Sequence, residues 1–438
     1  MPLLLSFLGI IALILLITWC RLDTFISFVI VSVAIGLTSG LDIHRITDAI
    51  QRGIGSIMGP LVIILGFGAM LGRLIADSGA AQQITGSLVR ISGIRRIQWA
   101  MALSGFLVGI PMFYSAGFMV LLPLVFSVAA ATGLPILYLG VPMLAALSVA
   151  HGFLPPHPSP TAIAGQLHAN IGKTLFYGII VAGPTIVLAG IVFGKTLRKY
   201  RPAPNQDLPT VKFLEPARLP SLATSLVTAL MPLILLTATT VFKFIPIPAP
   251  AQKVIAFIGD PNIAMLLSVL AAIYFLGIRR RRPTKEVMRS LEDAFKSVAP
   301  FMLIIAGAGA FMQVMSEGGL NGFIAKSLEH TAISPLLLGW TIAALIRICT
   351  GSSTVAALTT VGTLLPLLQQ SAVQPELMVL VVGAGSMTFS HVNDGGFWLF
   401  KEYFNLTIRQ TFATWTVMET MVSVVGLLMV LLLDQIVH

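Results

Sequence analysis

Long apolar runs alternate with short polar connections from one end of this chain to the other. Many of the runs reach about 17–20 residues, the length that crosses a bilayer as an α-helix. The pattern therefore predicts an all-α polytopic membrane protein, and it excludes a transmembrane β-barrel, whose strands show only weak alternation. The predicted apolar segments lie at about 2–19, 23–40, 60–76, 98–112, 114–131, 135–150, 175–194, 221–242, 262–278, 297–315, 332–350, 352–368, 376–390 and 410–433.

The two halves of the chain repeat each other weakly. Each half carries seven of the apolar segments, and an odd number makes the second half enter the membrane from the opposite side. A weak two-fold repeat of this inverted kind is typical of transporters with a site near the bilayer midplane. The repeat is marked by three pairs of residues that are each 240 positions apart: Pro60 and Pro300, Asp77 and Glu317, His151 and His391.

The domain organisation follows from this repeat. We predict a first transmembrane repeat at 1–194, a cytoplasmic linker at 195–220 and a second, inverted repeat at 221–438. The linker is polar and rich in proline, and no soluble domain is predicted.

Composition and charge support the membrane assignment. The chain is 56% hydrophobic and only 10% charged, whereas a soluble protein carries about 25% charged residues. With the N-terminus outside, 19 of the 27 Lys and Arg residues fall in cytoplasmic connections and 6 in external ones. This bias follows the positive-inside rule, so both termini are predicted outside. It also explains the net charge of +10 without a nucleic-acid partner.

Two connections are too short to reach water. One joins apolar stretches across 111–114, and the other does so across 350–354. Irregular backbone at membrane depth is tolerated only against protein or a watery cavity. We therefore predict re-entrant hairpins or broken helices at both places.

The second of these joins predicts an anion site. Arg347 lies within an apolar run, where an arginine usually pairs, faces a cavity or contacts an anion. Ser352, Ser353 and Thr354 follow it, and a half-helix beginning near Ser352 would point its N–H groups at the same place. Together these groups suit a carboxylate. The alternative is that Arg347 pairs with an acid and the small residues only let helices pack closely.

Two further polar segments break the apolar pattern. His151, His157 and Thr161 surround four prolines, which forbid a continuous helix, and they suit a polyol or a proton relay. The alternative is a rigid corner whose histidines bond carbonyl groups. In the second half, Asn393 and Asp394 directly follow His391 and Val392, and we expect Asp394 to titrate. The alternative there is a capped helix start, with Asn393 or Asp394 as the N-cap.

Three more residues are weaker candidates. Asp77 and Glu317 each precede a glycine after a glycine-rich stretch. They are predicted to gate or to pair symmetrically, unless they are polar residues at the ends of spans. Ser115 occupies the first-half position that corresponds to the Gly351–Thr354 island.

The sequence carries no catalytic or nucleotide-binding motif. Its two cysteines are too few for a metal site or a disulfide framework. We therefore expect no cofactor, no metal and no enzymatic activity, and an ion gradient would have to drive transport.

The chain contains the stretches GFGAMLGRLIADSGAA, HGFLPPHPSPTAIA, RICTGSSTVAALTTVG and SHVNDGGFWLFKEYF. These four stretches resemble the gluconate permease (GntP) family of proton symporters, and the resemblance runs essentially end to end. It implies import of gluconate or a related sugar acid across the bacterial cytoplasmic membrane, an elevator-type fold of the ion-transporter superfamily, and a homodimer. Familiar members often carry glutamate where this chain has Ser115, which bears on coupling and substrate choice.

The expected mechanism assigns a role to each candidate. Arg347 and the Ser352–Thr354 segment hold the substrate carboxylate, and the proton is taken by Asp394, His391 or His151. The alternatives are a carrier for D-serine or another small carboxylate, sodium coupling, a channel, or a membrane-embedded enzyme. The residues expected to hydrogen-bond the polyol are His151, His157, Thr161, Asn393 and Ser115.

Overall fold

The computed structural model describes residues 2–202, 214–242, 248–318, 334–370 and 373–437, and within them it contains helices and no strands. The helices are Pro2–Thr18, Thr24–Thr38, Ile43–Asp77, Ala80–Ser92, Ile97–Gly109, Tyr114–Thr132, Ile136–Phe153, Pro158–Gln166, Ile171–Thr185, Phe193–Thr196, Leu222–Val241, Ala249–Ile258, Pro261–Ala272, Thr284–Glu317, Pro335–Thr350, Ser353–Gln370, Pro375–Gly385, Gly395–Tyr403, Ile408–Thr411 and Val417–Val437. Turns of π-helix at Ile186–Val192, Ile273–Gly277 and Phe412–Thr416 continue three of these helices.

Six of the described helical stretches are long and apolar enough to cross a membrane, and the bent helix Ile43–Asp77 would be a seventh. This confirms the predicted all-α membrane protein. Several predicted segments are shorter helices, among them Pro335–Thr350 and Pro375–Gly385. The six long stretches are Tyr114–Thr132, Ile136–Gln166, Ile171–Lys199, Pro261–Arg280, Thr284–Glu317 and Ile408–Val437.

Two long helices, one from each predicted repeat, pack against each other. Ile43–Asp77 and Thr284–Glu317 have 35 and 34 residues, and each begins well before the predicted segments at 60 and 297. Their first turns carry many charged residues, so hydropathy alone did not reveal them. At the crossing, a Cβ built on Gly53 would lie 2.3 Å from the Gly309 carbonyl oxygen. Only glycine therefore allows the two backbones to approach so closely.

The helix Ile136–Phe153 is deeply buried, and nearly every one of its side chains is inaccessible to solvent. It ends where Leu154 adopts extended backbone angles, and the chain becomes helical again at Pro158. Pro155 and Pro156 lie in this gap and have no N–H to donate. The predicted helix break is thus confirmed, and it leaves His151 in the last turn before the gap.

The outer helices present apolar side chains away from the protein. On Val417–Val437, Leu428 and Leu432 are 54% and 58% exposed, and Ile436 is 77% exposed. Residues four apart lie on one face of a helix. An exposed apolar stripe of this kind suits contact with lipid, and the opposite face of the same helix points into the protein.

Candidate functional site

A cavity of about 410 Å³ opens where the broken helices meet. Its walls come from the ends of helices that are far apart in sequence. Its polar lining consists of Tyr114, Ser115, Ser148, His151, Arg347, Thr350, Ser352, Ser353, Thr354, Asn393, Asp394 and Glu419, and its apolar lining includes Phe113, Phe301, Met387, Leu399 and Trp415. The structure therefore gathers most of the predicted substrate residues around one space.

Arg347 is the main positive charge of this cavity. Its side chain is only 5% exposed, and its Nη2 donates to Oδ2 of Asp394 over 2.5 Å. Nη1 donates to the carbonyl of Gly351. Nε is buried and has no hydrogen-bond partner among the described residues. Arg347 thus pairs with an acid, which was the alternative to an anion site, and the Nε of the same guanidinium remains without an acceptor.

A helix begins beside this guanidinium, as the sequence predicted. The helix Pro335–Thr350 ends at Gly351, whose φ of 73° is left-handed. A Cβ there would lie 2.2 Å from the Asn393 carbonyl oxygen, so no other residue fits. Helix Ser353–Gln370 starts two residues later. Its first-turn N–H groups supply partial positive charge at the wall of the cavity.

Asp394 has two structural roles. Its Oδ1 accepts from the backbone N–H of Gly396 over 2.9 Å, which makes it the N-cap of Gly395–Tyr403. Its Oδ2 accepts from Arg347 and from the hydroxyl of Ser390. Asp394 therefore caps a helix, as the alternative interpretation of the sequence stated. It also forms an ion pair with Arg347, and both residues line the cavity.

The neighbours of Asp394 divide between the cavity and its surroundings. Asn393 lines the cavity, but its Nδ2 donates to the Ile348 carbonyl over 2.9 Å, which fixes the loop. His391 also contacts the Ile348 carbonyl, at 2.9 Å from Nε2. His391 is not among the residues that line the cavity. The structure therefore does not bring this predicted coupling residue to the site.

Of the two histidines of the first half, His151 lies in the cavity wall and His157 lies behind it. His151 lines the cavity, and its Nδ1 is 3.4 Å from Nδ1 of His157. His157 is buried, and its Nε2 is 2.8 Å from the Gly109 carbonyl, which can only accept. A neutral His157 therefore accepts at Nδ1 and His151 donates there. Neither His157 nor the buried Thr161 reaches the cavity, so these two are not direct substrate ligands in this conformation.

Sequence reasoning missed Ser148 and Glu419. Glu419 is 1% exposed on helix Val417–Val437, and the Ser148 hydroxyl donates to its Oε1 over 2.5 Å. A signal was available, because Glu419 is a lone acid in an apolar run, and such residues mark functional sites by default. Ser148 gave no signal, since a serine in a helix is common.

A second cavity, of about 620 Å³, adjoins the first one. Phe113 and Ser115 line both, so the turn before helix Tyr114–Thr132 separates the two spaces. Arg73 and Asp77 line the second cavity as an ion pair at 3.0 Å. Leu214, which lies within the predicted linker 195–220, lines it too.

Glu317 pairs elsewhere. Arg52 donates to it over 2.8 Å, and Gln313 does so over the same distance. Asp77 and Glu317 thus each have an arginine partner, which lies on the same helix for Asp77 and on a different helix for Glu317.

No group of three His, Cys, Asp or Glu side chains suited to a metal ion occurs in the described part of the chain. Cys20 and Cys349 are free and exposed.

Comparison with known proteins places the whole chain in one group. The family model of GntP family permeases matches residues 1–436. The Gnt-II system L-idonate transporter of Escherichia coli is 45% identical over 439 residues, and a high-affinity gluconate transporter of the same organism is 46% identical over 439 residues. Both matches cover 100% of this chain and 100% of the relative.

A solved structure with the same fold is the YdaH transporter of Alcanivorax borkumensis. The TM-score is 0.67 at 19% identity, and the match covers 94% of this chain and 97% of that one. At this identity the likeness concerns the fold alone.

Proposed function

The chain belongs to the GntP permease family, and from this premise we propose that it imports gluconate or a closely related sugar-acid anion by proton symport through alternating access. It is a multi-pass membrane transporter and not an enzyme. The observation that carries the substrate proposal is the unpartnered Nε of Arg347 at a cavity lined by hydroxyl groups.

The chemistry of the cavity matches a sugar acid at both ends. Gluconate has one carboxylate and a chain of hydroxyl groups. Arg347 and the N–H groups at the start of Ser353–Gln370 suit the carboxylate, because charge-assisted hydrogen bonds and helix N-termini favour anions. The side chains of Ser115, His151 and Asn393 suit the hydroxyl groups. Two relatives are named as transporters of L-idonate and of gluconate, which are six-carbon sugar acids. Their names support a six-carbon sugar acid as the substrate of this chain.

Coupling to protons follows from competition for Arg347. In the structure Asp394 neutralises the guanidinium, with 2.5 Å between Oδ2 and Nη2. A substrate carboxylate that binds the free Nε would place two anions beside one cation. If Asp394 takes a proton when the substrate binds, the loaded site is neutral again. Asp394 is therefore our proposed coupling residue, and His151, which lines the same cavity, is the second candidate.

The route to the cytoplasm is proposed to be the second cavity. It shares Phe113 and Ser115 with the first cavity, and Leu214 of the linker lines it. Movement of the turn at 110–114 would then connect the substrate to the side that holds the linker. The external position of both termini, the elevator-type motion and the homodimer belong to this proposal as well.

Uptake of labelled gluconate into proteoliposomes tests the function. We expect accumulation under an inward proton gradient, collapse of accumulation with a protonophore, and no dependence on sodium. Unlabelled L-idonate should compete, and D-serine should not. Preferential competition by D-serine would assign the site to a different carboxylate, and accumulation driven by sodium alone would refute proton symport. Flux that neither saturates nor shows counterflow would indicate a channel.

A further inference from the structure

One carboxyl group of the cavity has no part in the mechanism above. Glu419 lies on Val417–Val437, is 1% exposed and lines the cavity. Its Oε1 accepts from Ser148, whereas its Oε2 is buried and has no hydrogen-bond partner among the described residues. A buried oxygen of a carboxyl group rarely stays unpaired in a folded protein. This oxygen therefore lacks a partner, and it belongs to a side chain of the cavity wall.

In the part of the chain that the structure describes, the cavity lining contains no free cation that could neutralise an ionised Glu419. The charged groups of the cavity are Arg347 and Asp394, which pair with each other, and the other titratable groups there are His151 and Tyr114. Glu419 is in no ion pair within the described residues. An ionised Glu419 would be an uncompensated charge inside a membrane protein, which is strongly unfavourable. The substrate would add one more negative charge.

We propose that Glu419 stays protonated in the empty and in the loaded transporter, and that its Oε2–H donates a hydrogen bond to a hydroxyl oxygen of the substrate. Ser148 supports this arrangement because its hydroxyl donates to Oε1, which leaves the proton on Oε2. The inference rests on the proposed function, since it names how the same cavity recognises a polyhydroxylated anion. Glu419 would be a selectivity residue, and its proton would not be the one that is transported.

Selectivity follows from the cost of an unpaired donor. A substrate with a hydroxyl group at the right carbon satisfies Oε2–H, whereas an analogue without that hydroxyl leaves a buried donor unpaired. Sites built to hydrogen-bond a particular hydroxyl reject analogues that lack it far more strongly than apolar pockets reject an extra methylene. We therefore expect the transporter to discriminate against the deoxy analogue at one particular position of the sugar acid.

Two substitutions in the full-length protein separate this role from the alternatives. Glu419→Gln keeps a donor of nearly the same shape, so we expect proton-driven accumulation to persist with a KM within about threefold of the original. Glu419→Met keeps the volume and removes the donor, so we expect KM for gluconate to rise on the order of tenfold or more. A matched control is Glu292→Gln, because Glu292 is exposed.

A panel of monodeoxy gluconates identifies the hydroxyl. For one member of the panel, Glu419→Met should cause no increase in KM, because that analogue lacks the hydroxyl group that accepts the hydrogen bond from Glu419. If Glu419→Gln exchanges substrate but no longer accumulates it, Glu419 carries the transported proton and the proposal is wrong. An equal Glu419→Met penalty for every analogue would show a packing role and would also overturn it.

The protonation state can be measured without transport. Infrared spectra of the reconstituted protein should contain a carboxylic-acid carbonyl band that is lost in Glu419→Gln and insensitive to pH through the neutral range. Absence of that band would refute the proposal even if gluconate transport is established. Failure of uptake by the unsubstituted protein, with the band present, would instead refute only the proposed function.

Discussion

Arg347 and Asp394, 47 residues apart in sequence, form a partly buried ion pair that joins two helices, with 2.5 Å between Nη2 and Oδ2. Their side chains are 5% and 17% exposed. The pair ties the end of Pro335–Thr350 to the start of Gly395–Tyr403. Breaking a buried pair by removing one partner leaves the other charge uncompensated. The groups proposed to bind substrate and proton therefore also hold the site together.

The first prediction concerns coupling through Asp394. Asparagine cannot take a proton, so Asp394→Asn should lose proton-driven accumulation while it still exchanges internal for external gluconate. Counterflow and gradient-driven uptake in the same proteoliposomes measure the two activities. The exposed Asp48→Asn is the matched control. Normal accumulation with unchanged pH dependence in Asp394→Asn would show that Asp394 is not the coupling residue.

The second prediction concerns the shape of the cation. Arg347→Lys keeps the positive charge but loses the planar fork and the free Nε, so the substrate carboxylate loses a charge-assisted bond. Such a bond contributes about 1.5–3 kcal/mol, which corresponds to a KM increase on the order of 10- to 100-fold. Concentration series of initial uptake provide the measurement. Arg45→Lys, at an exposed position, should leave KM unchanged, and an unchanged KM in Arg347→Lys would contradict the assignment.

The third prediction concerns the central helix crossing. Gly53→Ala places a methyl group 2.3 Å from the Gly309 carbonyl oxygen. Overpacking of this kind destabilises by about 1–3 kcal/mol. We expect a lower melting temperature in detergent, measured by the fluorescence of tryptophan. Gly55→Ala on the same helix meets nothing within 4 Å and serves as the control, and equal melting temperatures for both variants would contradict the close approach.

The fourth prediction concerns the turn between the two cavities. Ser115 is exposed and lines both of them. In a background with Cys20 and Cys349 replaced by serine, Ser115→Cys should react with a charged methanethiosulfonate reagent, and gluconate should slow the reaction. Ser32→Cys should not react, because Ser32 is fully buried. Labelling of Ser115→Cys that gluconate leaves unchanged would remove Ser115 from the substrate path.

The sequence revealed much of the candidate site for a clear reason. Arg347, Asp394 and His151 are polar residues in an apolar setting, where a polar group is costly and is kept for a purpose. The break near Pro155 and the helix start at Ser353 follow from local chemistry, and both are found where the pattern indicated. Glu419 obeyed the same rule and was nevertheless missed, since no glycine, proline or repeat partner marked it.

What the sequence determined by itself is the class of molecule: an apolar, helical, multi-pass chain with polar breaks at set places. These properties follow from hydropathy and backbone chemistry, which act locally. Tertiary structure alone decided the partners. It brought Asp394 into an ion pair with Arg347 and Arg52 into one with Glu317, and it let Ser148 donate a hydrogen bond to Glu419. It also left His157 and His391 outside the lining of the cavity. Each of these outcomes depends on how helices distant in sequence cross and rotate, and no local pattern encodes that geometry.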